Sequence, residues 1–285
     1  MLSHLGVIAW MIVASAAEQA PNAVPPTAID RTFTRLYNFD FPGAHAILDE
    51  HVRAHPEDPL AYSVRAAALM FSEFHRLKIL EMEFFADDEK VTSRTNIVPD
   101  PNIRARLFEV TAQARKRAAG RLAMDARDRD ALLALSMAAG VETDYSILVE
   151  KRYFRSFSLS KEAQQYAHTL LSLNPPAYDA YLTLGSVEYT VGSMNWFFRL
   201  FVHFDRIEGS KQKAVENLQK VVQGGRYYAP FAKLLLAIIF LRENQPQKAL
   251  LLLQELARDF PQNPLARDQI ARVTERINRI RKNGK

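Results

Sequence analysis

Residues able to do chemistry are few and scattered in this chain. His51 and His55 stand four apart, a spacing that sets both imidazoles on one helical face, with Asp49 and Glu50 beside them. A zinc site needs a third protein ligand, and His55 directly precedes Pro56 at a helix end, where an imidazole favours the last carbonyls. The pair therefore reads as a helix-terminal feature, and no metal is expected. Glu81, Glu83, Asp87, Asp88 and Glu89 form an acidic cluster, which reads as a solvated face. There is no cysteine, so a thiol nucleophile and a disulfide are both excluded. GxSxG, HExxH and a phosphate-binding glycine loop are missing from the sequence, and Gly224-Gly225 reads as a helix stop. No catalytic residue, no cofactor and no metal is assigned, and the expectation is a protein that is not an enzyme.

Net charge is +5, with 37 Lys and Arg against 32 Asp and Glu. The most basic stretch, RARLFEVTAQARKRAAGRLAMDARDR from Arg104, carries acids among its arginines. It reads as the solvated face of a helix, and no nucleic-acid partner is expected.

Binding chemistry is better represented than reaction chemistry. GSMNWFFRLFVHFDRIEG, from Gly192 to Gly209, is dense in aromatics, with one Trp and four Phe. A helix from Met194 sets Trp196, Phe197, Leu200, Phe201, Phe204 and Ile207 on one face, with Asn195, Arg199, His203 and Arg206 opposite. Such a helix can cover a neighbouring helix, line a groove for a peptide or apolar ligand, or lie at a membrane surface. Arg199 and His203 interrupt the run too soon for a span. The candidate partner-binding residues are Trp196, Phe197, Arg199, Phe201, His203 and Phe204, together with Tyr227 and Tyr228.

The elements that must position these residues repeat. FPGAHAILDEHVRAHPEDPLA from Phe41 and QPQKALLLLQELARDFPQNPLA from Gln245 share a helical apolar stripe, a Pro, two polar residues and then Pro-Leu-Ala. One interval recurs: it separates Ala44 from Pro56, Ala163 from Pro175 and Ala249 from Pro261. Small residues permit close helix crossings and Pro closes the second helix of a pair. In the last copy Leu236, Ala237 and Phe240 lie on the first helix and Ala249, Leu253, Leu256 and Pro261 on the second. Earlier first helices carry Leu132, Leu135, Ser136 and Ala139, and Tyr181, Leu184 and Gly185.

These residues resemble the tetratricopeptide repeat, a helix pair of about 34 residues with small residues at the crossing. The resemblance covers about Ile29 to Arg267, and the arrangement looks like that of exported bacterial tetratricopeptide proteins. It is also loosely similar to a eukaryotic tetratricopeptide family linked to lipid droplets and inclusion-body clearance. It implies an all-α solenoid of helix hairpins that presents a concave face to a protein or peptide partner, and no reaction.

Three repeats depart from the pattern. The stretches from Gly185 to Ala214, from Ser136 to Ala163 and from Ala66 to Ala114 each run well beyond the interval the repeat allows between its two small crossing residues. The surplus holds Phe71, Phe74, Phe84 and Phe85, then Tyr145, Tyr153, Phe154 and Phe157, then the 192–209 stretch. ARDQIARVTERINRIRKNGK sets Ile270, Val273, Ile277 and Ile280 on one stripe and reads as a capping helix.

MLSHLGVIAWMIVASAA has an apolar run and a small-x-small ending, which predicts a signal peptide over 1–17 despite the lack of an early Lys or Arg. A Pro-rich linker over 18–28 and a helical domain over 29–285 follow. The expectation is an exported protein, periplasmic or secreted, acting as a non-catalytic interaction scaffold of the envelope or exterior. The alternative is a carrier of a lipid or apolar small molecule in a pocket lined by the aromatic inserts. Membrane-surface or apolar-ligand contact is assigned to 194–207.

Overall fold

Aspartates open the early helices. Asp58, Asp100 and Asp128 each accept a hydrogen bond from a backbone N–H of the following turn, that of Leu60, Asn102 and Ala131 respectively. Such caps satisfy donors that the helix itself leaves orphaned. Pro59, Pro101, Pro246 and Pro264 each stand at the first helical position, where the missing N–H costs nothing. The Pro-Leu-Ala recurrence thus marks the start of the next helix.

The computed structural model describes residues 25–81, 98–193 and 209–283. Among them every regular element is helical: α1 (Ala28–Tyr37), α2 (Phe41–Ala54), α3 (Pro59–Arg76), α4 (Pro101–Met124), α5 (Arg129–Leu148), α6 (Tyr153–Leu173), a 3-10 turn (Tyr178–Ala180) running into α7 (Tyr181–Ser193), α8 (Lys211–Gly224), α9 (Ala229–Arg242), α10 (Pro246–Asp259) and α11 (Pro264–Asn283). The protein is all-α. Chain neighbours pair as α1/α2, α3/α4, α5/α6, α7/α8 and α9/α10, with α11 packed on α10.

Small residues sit at the crossings. Ser136 Oγ donates to the Ala163 carbonyl at 3.1 Å, joining α5 to α6, and Ser63 Oγ donates to the Ala134 carbonyl at 2.7 Å, joining α3 to α5. A Cβ at Gly185 would lie 2.9 Å from Leu218 Cγ, so α7 and α8 meet where glycine permits it. Ala237 and Ala249 are fully buried in one cluster with Leu253.

The surplus between Ser136 and Ala163 turns out to be helix. α5 and α6 run to 20 and 21 residues, against 14 each for α9 and α10. Phe71 and Phe74 belong to α3. Phe84, Phe85, most of the acidic cluster (Glu83, Asp87, Asp88 and Glu89) and the 194–207 segment lie outside the described residues, as does 1–17. α5 is long and apolar enough to cross a membrane, but 72% of its apolar window is buried by the other helices; it is the central core helix. Of the stripe expected on α11, Val273 and Ile277 are buried and Ile270 packs against the same cluster, while Ile280 is left 45% exposed; Ala266 and Gln269 are buried in addition.

Candidate functional site

Asp179, in the 3-10 turn before α7, organises the chain before α9. Its carboxylate accepts from three consecutive backbone N–H groups: Arg226 at 3.0 Å, Tyr227 at 3.1 Å and Tyr228 at 2.9 Å. Burial pushes this carboxyl up, and the three N–H donors pull it back towards the ionised form. The approach needs both glycines that precede it. A Cβ at Gly224 would sit 2.3 Å from the Tyr178 ring, and one at Gly225 would sit 2.9 Å from Asp179 Oδ1. Neither glycine has a positive φ, so Gly224-Gly225 serves close contact as well as ending α8.

Across this turn lies α1, far away in sequence. Phe33 stacks on Tyr227 with ring centroids 5.3 Å apart and meets Tyr228 edge-on at 5.6 Å. Tyr37 Oη donates to the Tyr227 carbonyl at 2.8 Å. Arg226 grips Asp30 with two nitrogens at 2.9 and 2.7 Å, which holds the Asp30 carboxyl down at about 2. Asn263 Nδ2 donates to the Tyr37 carbonyl and Asn38 Oδ1 accepts from Gln262 N, so α1 also touches the α10–α11 turn. Tyr227 and Tyr228 therefore face the chain's own first helix and are 8% and 9% exposed. Burial raises the Tyr227 hydroxyl to about 12.

Beside this junction is an apolar pocket of about 60 Å³, partly open to solvent. Phe33 and Tyr37 of α1, Phe71 of α3, Phe231 of α9, Phe260 after α10 and the Phe39–Phe41 corner line it. The rings brace one another: Phe71 meets Phe231 at 5.5 Å, Tyr37 meets Phe260 at 5.2 Å and Phe39 meets Phe41 at 5.5 Å. Two amides reach the wall. Asn263 is engaged, donating to Tyr37 and accepting from Ala266 N. Gln269 is 3% exposed, and its side chain has no hydrogen-bond partner among the described residues. The enclosure is thus apolar with one amide at its wall that bonds to no other described residue, a combination of the kind that can accommodate an apolar group carrying a hydrogen-bonding function.

Trp196, Phe197, Arg199, Phe201, His203 and Phe204 lie outside the described residues. Phe71, Leu253 and Leu256 stand out in the sequence, but their convergence with Phe33, Tyr37, Phe231 and Phe260 does not, because these residues come from separate helices. The available signals were local: Phe33 and Tyr37 one turn apart, and aromatic residues at helix boundaries such as Phe41 and Phe260.

The other candidates have structural roles. His51 Nε2 lies 2.9 Å from Asp58 Oδ2, and its ring packs against His55 at 4.8 Å. Asp49 pairs with Arg65 at 2.6 Å. Among the described residues no three His, Asp or Glu side chains converge as a metal site. Three of the five arginines of α4 are ion-paired to neighbouring acids, Arg104 to Glu150, Arg115 to Glu142 and Glu162, and Arg121 to Asp128. Asp144 of α5 differs, since burial alone raises its carboxyl to about 7. No protein-family model and no curated protein sequence matches the chain.

Proposed function

We propose that the chain is a non-catalytic interaction scaffold of the tetratricopeptide-like α-solenoid class, acting at the cell envelope or exterior, and that it captures an apolar side chain of a protein partner in the aromatic pocket. The repeated small-residue crossings and chain-neighbour pairing support the solenoid reading. The pocket carries the functional one. Its volume of about 60 Å³ is well below the roughly 300–1,000 Å³ typical of whole small-molecule sites. A side chain of a few carbons can enter from the open edge, whereas an acyl chain cannot be enclosed. The unpaired Gln269 amide suits the peptide group that accompanies such a side chain, because an amide can give and take one hydrogen bond with another amide.

The alternative, a carrier of a lipid or apolar small molecule, rests on the same aromatic lining and makes the opposite prediction about ligand size. The two separate on small probes followed by ligand-observed NMR. N-acetyl-leucinamide is expected to bind and N-acetyl-serinamide not, with Gln269→Leu weakening the former by about tenfold, the loss of one or two hydrogen bonds. Decanoate binding more tightly than N-acetyl-leucinamide, with no dependence on Gln269, would establish the carrier instead. Without a ligand, Gln269→Leu should leave stability within about 1 kcal/mol, since the amide opens onto the pocket where water can meet it.

A further inference from the structure

A second surface, independent of the pocket, lies where α5 hands over to α6. The turn is pinned: Val149 N and Glu150 N both donate to the Tyr145 carbonyl at 3.0 and 3.1 Å, and Arg152 N donates to the Ser146 carbonyl at 2.8 Å. Lys151 takes a left-handed conformation with φ 57°, a position uncommon for a residue with a side chain. This fixed corner projects the next residues outward. Phe154 is 94% exposed and Tyr153 43% exposed, the former the most exposed large apolar side chain among the described residues.

Arg152 and Arg155 flank these rings in the chain. Arg104 pairs with Glu150 at 2.6 Å and Arg152 reaches the same carboxylate at 4.0 Å. Arg104 and Arg155 both lie over the Phe108 ring, at 5.1 and 4.8 Å. Glu150, 7% exposed at its side chain, is the one acid in this set of contacts, so the corner presents Arg104, Arg152 and Arg155 with a net positive charge. We propose that this corner seats the protein on an anionic lipid surface, with Phe154 and Tyr153 entering the headgroup boundary and the arginines among the phosphates. An exposed aromatic tip flanked by basic residues supplies both things an anionic bilayer takes, an apolar group at the headgroup boundary and positive charge among the phosphates.

Flotation of the full chain with vesicles tests this. Phosphatidylcholine vesicles containing roughly one third phosphatidylglycerol should carry the protein, neutral ones should not, and raised salt should release it. Phe154→Ala should weaken partition roughly tenfold, and the double variant Arg152→Glu, Arg155→Glu at least roughly twentyfold, at about fivefold for each cation lost. Phe154→Leu, which keeps an apolar tip, should retain most of the binding, and unchanged thermal melts will show the variants folded. Arg279→Glu with Arg281→Glu, on the basic end of α11, serves as the charge-matched control and should leave partition within about twofold. Equal flotation with neutral vesicles, no flotation, or loss in the α11 control but not in the corner variant overturns the proposal. So does binding of soluble polyglutamate in place of vesicles, which would assign the corner to an acidic protein.

Discussion

Replacing Gly185 by alanine tests whether the helix pairs are set by backbone approach at small residues. The added Cβ would stand 2.9 Å from Leu218 Cγ and 3.1 Å from the Ala214 carbonyl oxygen, both inside the 3.4 Å at which ordinary contact begins. Leu218 is fully buried and cannot swing away, and the carbonyl is part of α8 itself. The two helices must part by a few tenths of an ångström. Overpacking of this kind costs about 1–3 kcal/mol, while alanine is worth about 1 kcal/mol over glycine inside a helix. The net expectation runs from neutral to about 2 kcal/mol of destabilisation.

Two other glycines supply the reference. Gly120 in α4 and Gly140 in α5 have nothing within 4 Å of the place a methyl group would take, so alanine at either should show propensity alone and stabilise by about 1 kcal/mol. The difference between Gly185→Ala and these two is therefore about 1–3 kcal/mol, and helix propensity cancels from it. Urea unfolding at constant slope reads it directly, since a shift in midpoint at fixed slope is a shift in stability. Equal stabilisation at all three positions would refute the close crossing of α7 and α8, and with it the main physical support for the solenoid reading.

Asp179→Ala strips the acceptor from three N–H groups before α9 and should cost about 2–3 kcal/mol, with Asp179→Asn costing about 1 kcal/mol because one oxygen remains; thermal melts compare them. Asp30 has a depressed pKa of about 2 in the folded chain, so its contribution is present above about pH 4 and is lost as pH falls towards 2. Because Arg226 is 54% exposed, that contribution is discounted for solvent screening to about 1 kcal/mol. Asp30→Asn should therefore lower the melting point at pH 7 and leave it unchanged at pH 2. Asp144 has the opposite sign: its folded pKa is raised to about 7, so stability declines as pH rises from about 4 through 7. Asp144→Asn should stabilise at pH 8 by about 1–2 kcal/mol, allowing for water at a partly exposed carboxyl, and should do nothing at pH 4.

Helix pairing is legible in the sequence because it depends on near neighbours. Ala249 and Pro261 stand on one helix and at its end, so the crossing and the stop they encode lie within one hairpin. The same locality misleads at the surplus between Ser136 and Ala163. A count of residues cannot tell an excursion from two helices each grown by a turn or two, and the apolar content of α5 is what lets it lengthen within the core. On α11 the stripe is legible as far as Ile277, where Ile270, Val273 and Ile277 meet α9 and α10; Ile280 lies beyond that cluster and is exposed, and Ala266 and Gln269, which line the pocket, belong to a contact between distant helices.

The pocket is not legible, for a related reason. Its walls come from α1, α3, α9, α10 and α11, and the contact beside it, Phe33 on Tyr227, joins the first helix to a turn most of the chain away. Tyr227 and Tyr228 attract attention in sequence as an adjacent aromatic pair, and that attention is owed to what precedes them. Gly224 and Gly225 let Asp179 reach the backbone, the carboxylate fixes three N–H groups, and the rings are thereby turned towards α1. In the proposed function, partner recognition falls to the rings around the pocket, Phe71, Phe231 and Phe260, and to Gln269, whose amide has no partner among the described residues and is left for a ligand to meet.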